Sequence, residues 1–366
     1  MVTSRRRFLG LTAAAAAGLT HAEIAQACRR VTSTMYVGAY TSQAGGGAGI
    51  GLAKYDTASG KVTSTGSLTG VADPSFVILA PGGRFMYAVN EQENGGVTAI
   101  AVDAPGKLRV LNRQSTGGSA PCHLALVAGG KYLLSANYSS GDVAVHPVKA
   151  DGSLGARTDL VKHVGDEPHA HQVVADPSGR YVLAVDLGTD SVYTYTLSTA
   201  GKLALKSQAT LKAGAGPRHL AFHPSGAYAY VANELDSTIA VCAYDGASGK
   251  LTPGEVQATA PGGTTNYPAE VVVSPDGRFV YLTNRGHNSV AVFAVEGGGA
   301  SLRRVATPSC GGDWPRHLAF DPTGNLLFVA NQRSNGITSF QVDKQTGLLT
   351  AGPTFTTPVP VCVLPV

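Results

Sequence analysis

The sequence predicts an all-β fold, a seven-bladed β-propeller, and three recurring signals predict it. Prolines open apolar runs at Pro74, Pro121, Pro168, Pro217, Pro268, Pro315 and Pro360, in steps of 47, 47, 49, 51, 47 and 45 residues. The run that follows each closes at Asn90, Asn137, Asp186, Asn233, Asn284 and Asn331, with residues 36–40 (YVGAY) as the N-terminal counterpart. A turn then recurs at Gly60-Lys61, Gly106-Lys107, Asp151-Gly152, Gly201-Lys202, Gly249-Lys250, Gly299-Ala300 and Thr346-Gly347. A period of this length belongs to propellers, arrays or solenoids. No helical periodicity lies between the anchors, which leaves the propeller.

Within a repeat the elements follow from turn chemistry. In the copy that begins at Pro217, strands are expected over residues 219–223, 227–232, 238–244 and 251–259. The joints are Pro-Ser-Gly, an Asn-Glu-x-Asp stretch and Gly-Ala-Ser-Gly, residues that favour tight turns. The seventh anchor, Pro360, leaves room for one strand only, over residues 361–365. The missing strands lie at the other end, over residues 34–40, 49–55 and 61–68. The last blade is therefore expected to take one strand from the C-terminus and three from the N-terminus, which removes open sheet edges. The single Trp314 argues against a propeller of the Trp-Asp type.

Composition agrees. The 46 glycines and only 14% charged residues suit many short strands joined by turns, and 43% apolar residues supply a large core. A single domain is expected over residues 28–366. Residues 1–27 read as a twin-arginine export signal: Ser4-Arg5-Arg6-Arg7-Phe8-Leu9, an Ala-rich apolar stretch over residues 9–19, and Ala25-Gln26-Ala27 as a small-x-small cleavage site. The apolar stretch is too short for a permanent membrane span. Cys28 follows directly, but Ala25 and Gln26 fit a lipoprotein signal poorly. The chain is expected outside the cytoplasm, in the periplasm or medium, as a monomer. Removing the signal leaves about +2 of the formal charge of +4, with no basic run after Arg30, so no nucleic-acid partner is expected. No later stretch is apolar enough to span a membrane. The five cysteines, Cys28, Cys122, Cys242, Cys310 and Cys362, lack metal-type spacing and read mostly as buried thiols.

Let the strands of a blade be A to D from the inside out. The start of A and the end of B then lie on one face, at the mouth of the central channel. Just after the anchor prolines come Ser75, Cys122, His169, Arg218, Ala269, Arg316 and Val361. One residue further come Phe76, His123, Ala170, His219, Glu270, His317 and Cys362. The third position is aliphatic in six copies and His171 in the seventh. An imidazole in a core position needs a hydrogen-bond partner, which marks His171 out. After the closing residue come Glu91, Tyr138, Leu187, Glu234, Arg285 and Gln332. His146, His163 and His223 fall elsewhere and read as surface or turn residues. The closing asparagines read as turn formers that bond their own following backbone.

This set suits proton transfer on an anionic, oxygen-rich small molecule. Arginine forks hold carboxylate or phosphate and stabilise an oxyanion. His and Glu can activate water. His169 and His171 could share a metal ion, but no further carboxylate has ligand spacing, so neither metal nor cofactor is expected. No nucleophile elbow, phosphate loop or dinucleotide fingerprint occurs in a suitable context.

At these residues the chain resembles the lactonase family of seven-bladed propellers, which includes bacterial propeller-type 6-phosphogluconolactonases and the fungal carboxy-muconate lactonising enzyme. The matching segments include YVGAYT (36–41), PSFVILAPGGRFMYAVNE (74–91), PHAHQV (168–173), GPRHLAFHPSGAYAYVANE (216–234), FVYLTNRGHNSVAVF (279–293) and WPRHLAFDPTGNLLFVANQRSNGITSF (314–340). The resemblance spans about residues 34 to 364. It implies a catalytic set of one His, two Arg and a Glu, carried here by His169 or His171, Arg218, Arg285 and Glu234. Glu91, His123, His219, Arg316 and His317 are expected to bind substrate. The implied activity is hydrolysis of a lactone of a sugar or carboxylic acid. Muconate-type lactone closure and a non-catalytic cell-envelope binding propeller are the alternatives. An exported chain favours an unphosphorylated or carboxylated lactone over a sugar phosphate. The site is expected to be confined to the three consecutive blades that begin at Pro168, Pro217 and Pro268.

Overall fold

The computed structural model describes residues 31–366, of which Thr32–Val366 form one compact unit. The expected export signal and Cys28 lie outside the described residues. Seven four-stranded antiparallel sheets are present, each in A-B-C-D order. Blade 1 begins with strand A at Val77–Leu79 and strand B at Phe85–Asn90. The A and B strands of the next five blades are Pro121–Val127 and Tyr132–Asn137, Ala170–Ala175 and Tyr181–Asp186, Pro217–Phe222 and Tyr228–Asn233, Tyr267–Val273 and Phe279–Arg285, and Pro315–Phe320 and Leu326–Asn331. Blade 7 joins Pro360–Pro365 to Thr32–Ala39, Gly49–Asp56 and Val62–Thr69. Its two termini pair directly, Tyr36 opposite Leu364 and Val37 opposite Val363.

Blade 4 shows why the inner strands were the legible ones. Strand B, Tyr228–Asn233, is buried along nearly its whole length because a neighbouring blade covers each face. It therefore reads as a continuous apolar run rather than an alternating one. Strand D, Lys250–Ala258, is mostly exposed and polar. Seven apolar clusters fill the gaps between adjacent blades. The cluster between blades 6 and 7 packs Phe328 and Ile337 on Met35 and Tyr55.

The recurrent glycine turn lies between strands C and D, and its role is to latch neighbours. Tyr87 of blade 1 donates to the Gly152 carbonyl of blade 2 (3.0 Å), Tyr230 of blade 4 to Gly299 of blade 5 (3.1 Å), and Tyr281 of blade 5 to Gly347 of blade 6 (2.9 Å). Gly152 has φ of +81°, and a Cβ there would overlap the Phe85 ring. Glycine meets both requirements.

Three expectations need correction. His146 and His163 are not surface residues. His146 is fully buried with Nε2 on the Ser115 carbonyl (3.1 Å), and buried His163 pairs with Asp186 (2.6 Å). The closing asparagines do not form local turns. Their amides cross to the start of strand C, Asn233 to Thr238 (2.9 Å) and Asn331 to Thr338 (3.0 Å).

The third correction concerns His171. In blade 4, Pro217 pairs with the closing Asn233, Arg218 bulges, and His219 pairs with Ala232. In blade 3 it is Ala170 that pairs with the closing Asp186, His171 that bulges, and Gln172 that pairs with Val185. His171 is therefore the counterpart of Arg218, and Val173 fills the aliphatic position. The loop before strand A is two residues longer in blade 3.

Candidate active site

Three stacked layers of side chains surround the channel mouth, and the backbone dictates each. The outermost layer is the residue just past strand B. Its N–H is held by the carbonyl of the loop residue that precedes strand A: Glu91 on Asp73 (3.0 Å), Tyr138 on Ala120 (2.9 Å), Leu187 on His169 (2.9 Å), Glu234 on Gly216 (2.7 Å) and Gln332 on Trp314 (3.0 Å). Tyr40 on Val359 (3.4 Å) is the blade 7 counterpart. Asp73, Ala120, Gly216, Trp314 and Val359 all hold positive φ, between 38° and 62°. The middle layer is the bulged residue of strand A, with Cys122, His171, Arg218 and Arg316 among its members. A bulge turns an extra side chain out of the ladder, here into the channel. The inner layer is the next residue along and includes Phe76, His123, His219, Glu270 and His317.

The two outer layers enclose a polar cavity of about 220 Å³ lined by Tyr40, Glu91, Cys122, Tyr138, His171, Glu234, Arg285 and Arg316. All seven blades contribute, so the site is not confined to three. A smaller chamber beneath it is lined by Arg218, His219, Glu270 and His317 and shares Cys122 and Arg316 with the first. His123 lines neither. It is 8% exposed and lies against Phe76, the two rings tilted by 32° with centroids 4.1 Å apart. His169 stands outside the cavity, in the loop before strand A. Its ring stacks on Tyr138 at 4.5 Å and its Nδ1 meets the Tyr138 carbonyl at 3.0 Å.

The charged groups form two clusters. In the first, Glu234 Oε2 lies 2.6 Å from an Nη of Arg285 and 3.2 Å from Nε of Arg218. Arg285 also donates to the carbonyls of Tyr267 (3.1 Å) and Pro268 (3.3 Å), and its guanidinium lies 5.5 Å over the Trp314 ring. Arg218 is different. Its Nε contact to Glu234 is too bent for a hydrogen bond, and Nε and Nη1 are buried without an acceptor. Buried, unspent donors are rare and call for an acceptor, from water or from a ligand. Burial pulls the Arg218 pKa down to about 9, helped by the charges of Arg285 and Arg316. In the second cluster, Glu91 accepts from Tyr40 (2.9 Å) and from Ser75, and Arg316 approaches it to 3.8 Å.

The histidines are held neutral. Burial and the surrounding arginines push His171 and His219 well below the ordinary imidazole range, and burial pushes His317 down to about 4. Burial also raises the Cys122 thiol, which argues against a thiolate nucleophile. Neutral His171 and the Arg285 guanidinium line one cavity, with Arg218 lining the chamber beneath, and together they offer a base and an oxyanion site. Sequence reasoning left out Tyr40 and Tyr138 as cavity walls. Tyr40 stands at the seventh copy of the strand-end position, directly after the N-terminal counterpart of the closing residues, and that placement is the signal that finds it. Among the described residues no group of three His, Cys, Asp or Glu is arranged to hold a metal ion, and no helix is long and apolar enough to cross a membrane.

Comparison with known proteins agrees with the architecture. Residues 34–365 match the family model described as lactonase, 7-bladed beta-propeller. A 6-phosphogluconolactonase of Bacillus subtilis is 37% identical, over 90% of this chain and 97% of its own. A periplasmic gluconolactonase of Pseudomonas aeruginosa superposes with a TM-score of 0.86 at 32% identity, covering 92% of this chain and 99% of that one. A crystal structure from Lactobacillus plantarum gives 0.87 at 34% identity, covering 92% and 100%.

Proposed function

Because the chain belongs to the lactonase family of seven-bladed β-propellers, we propose that its mouth cavity hydrolyses a lactone to the open-chain hydroxy acid. The observation that carries this reading is His171, a neutral imidazole on the cavity wall, facing the same space as the Glu234–Arg285 pair, with Arg218 and its unspent donors at the equivalent bulge of the next blade. His171 takes a proton from water as the water oxygen bonds to the lactone carbonyl carbon. The carbonyl oxygen becomes an oxyanion, held by Arg218 and Arg285. Collapse breaks the bond to the ring oxygen, which takes the proton back from His171. Glu234 fixes Arg285 through Oε2, steadies Arg218 by charge alone, and orients the water with Oε1.

The far wall reads the rest of the substrate. Arg316 has no hydrogen-bond acceptor within the described residues and Glu91 is a strong acceptor, so this end suits a hydroxyl-rich or carboxylated group. His169 and His123 stand outside the cavity and take no role in this mechanism, whereas His219 and His317 act from beneath it. The substrate is an unphosphorylated aldonolactone or a carboxylated lactone outside the cytoplasm, reached by twin-arginine export of the folded, monomeric domain of residues 28–366. The periplasmic gluconolactonase relative supports that choice.

A pH-stat screen of residues 28–366 against gluconolactone, its 6-phosphate, other aldonolactones and muconolactones tests the reading. Turnover of gluconolactone ahead of its phosphate is expected. No hydrolysis across the panel, with ligand binding retained in calorimetry, would leave a binding propeller instead. Loss of diene absorbance with a muconate would make it a lactonising enzyme.

A further inference from the structure

Beneath the cavity, four side chains from four different blades form one continuous chain of contacts. His171 Nδ1 lies 3.1 Å from His219 Nε2, and His219 Nδ1 lies 3.0 Å from Glu270 Oε1. Glu270 Oε2 lies 3.3 Å from His317 Nε2. The direction of the protons can be worked out from the far end. The backbone N–H of Val363 donates to His317 Nδ1 (3.3 Å), so that nitrogen carries a lone pair and the His317 proton sits on Nε2, facing Glu270. Glu270 Oε1 also accepts from the Val271 N–H (3.2 Å). Glu270 accepts from Val271 at Oε1 and faces the His317 proton at Oε2, so its carboxylate is the acceptor and His219 presents Nδ1–H to it. A neutral imidazole has one proton. His219 Nε2 is then a lone pair, and His171 must present Nδ1–H to it in turn.

We propose that Glu270 and His219 are positioning residues that fix His171 as its Nδ1–H tautomer, so that the lone pair needed for base catalysis stands on Nε2. Among the described residues His171 Nε2 has no hydrogen-bond partner, and its ring lines the substrate cavity. The arrangement follows the logic of a carboxylate-oriented catalytic histidine, with a second imidazole inserted between carboxylate and base. The insertion has a purpose. Glu270 is buried and raised by that burial, and His317 and Arg218 offset the rise. Placing the carboxylate one imidazole away keeps its charge from the face where the oxyanion forms, while its orienting effect is passed on. When His171 takes a proton on Nε2, its Nδ1–H bond to His219 and the carboxylate behind it stabilise the imidazolium. Arg218, Arg285 and Arg316 oppose it. The inference rests on His171 acting as the base in the proposed hydrolysis, but its central claim, the tautomer, does not require turnover.

The test is nitrogen-15 NMR of histidine-labelled protein, residues 28–366, with the His171 ring assigned through H171Q. In the wild type, His171 is expected with its proton on Nδ1 and a bare Nε2. In H219L it is expected to revert to the Nε2–H form common in water, and kcat to fall at least about a hundredfold with KM within about threefold. In H219Q the amide can accept from His171 and donate to Glu270. It should keep the Nδ1–H form and recover at least tenfold of the loss. A wild-type His171 protonated on Nε2 overturns the proposal, as does an H219L protein, folded by circular dichroism, whose tautomer and kcat are unchanged. If H219L does not fold, the wild-type and H219Q spectra decide. A bare Nε2 in a protein that hydrolyses no lactone keeps the relay and removes the hydrolysis.

Discussion

Arg218 gives the most informative substitution, because its contributions to stability and to catalysis should have opposite signs. Its side chain is 3% exposed, its firmest contact is one bent approach to Glu234, and two of its nitrogens have no acceptor. Burial lowers its pKa far below the ordinary arginine value, to about 9. A base whose folded pKa lies below its unfolded value costs stability wherever it stays charged in both states, so the penalty is fully present at neutral pH. It is on the order of 5 kcal/mol, taking about 1.4 kcal/mol per tenfold change in acidity. Arg218→Met keeps the volume and removes the charge, and Glu234 retains Arg285 at 2.6 Å. Buried charges exchanged for apolar groups of similar size often leave a protein equally or more stable, by about 1–4 kcal/mol. Thermal unfolding at pH 7.5 should therefore show an unchanged or raised Tm. Lactone hydrolysis should fall by about 10²–10³-fold, the usual cost of an oxyanion donor, about 2.7–4 kcal/mol. The reasoning fails on the catalytic side if Arg218→Met hydrolyses within threefold of wild type. It fails on the energetic side if Tm drops by more than about 5 °C.

Four further outcomes are expected. His123, His171, His219 and His317 are all held neutral by burial, with His317 at about 4. As pH falls below 6.5 the unfolded chain takes up protons that the folded chain does not, so Tm should decline from pH 6.5 toward 4, and a scan in calorimetry checks it. For the same reason the acid limb of kcat/KM should lie below pH 6.5, and a limb near 7 would argue against His171 as the base. Gly152→Ala places a Cβ against Phe85 at φ of +81° and disturbs the latch to Tyr87. It should cost about 1–3 kcal/mol, read as a lower urea midpoint with kcat unchanged. Substituting Arg5 and Arg6 together by Lys should hold the protein in the cytoplasm when fractions of the host are assayed by immunoblot.

The fold was legible because the inner strands are buried on both faces, so each blade repeats the same apolar runs between the same turn residues. The outer strands, such as Lys250–Ala258, carry little pattern because solvent covers them. At the site, the strand-end layer was legible because Glu91, Glu234 and Arg285 follow directly after the closing asparagines. The bulge layer was harder. Using proline as the anchor placed His171 in a core position, although the structure makes it the counterpart of Arg218. The correct register was available from the other end. Anchor and closing residue stand 16 apart in the blades of Pro74, Pro121, Pro217, Pro268 and Pro315, and 18 apart in the blade of Pro168. The relay was not legible at all, because it joins residues from different blades through side-chain contacts that sequence order does not encode. Glu270 and His219 carried the right chemistry, but only the ring brings them together.

The closing blade also sets how this domain must fold. Its innermost strand, Pro360–Pro365, pairs with Thr32–Ala39 from the far end of the propeller sequence. Until the two meet, Thr32–Ala39 has an unpaired inner edge and the apolar surfaces of Met35, Val37 and Tyr36 lack Val363 and Cys362. Pairing over so long a stretch of chain is slow. A domain without Pro360–Pro365 keeps six whole blades and still exposes a sticky edge. Docking of this one strand, rather than the stability of any blade, is the checkpoint that separates a closed barrier to aggregation from an open one.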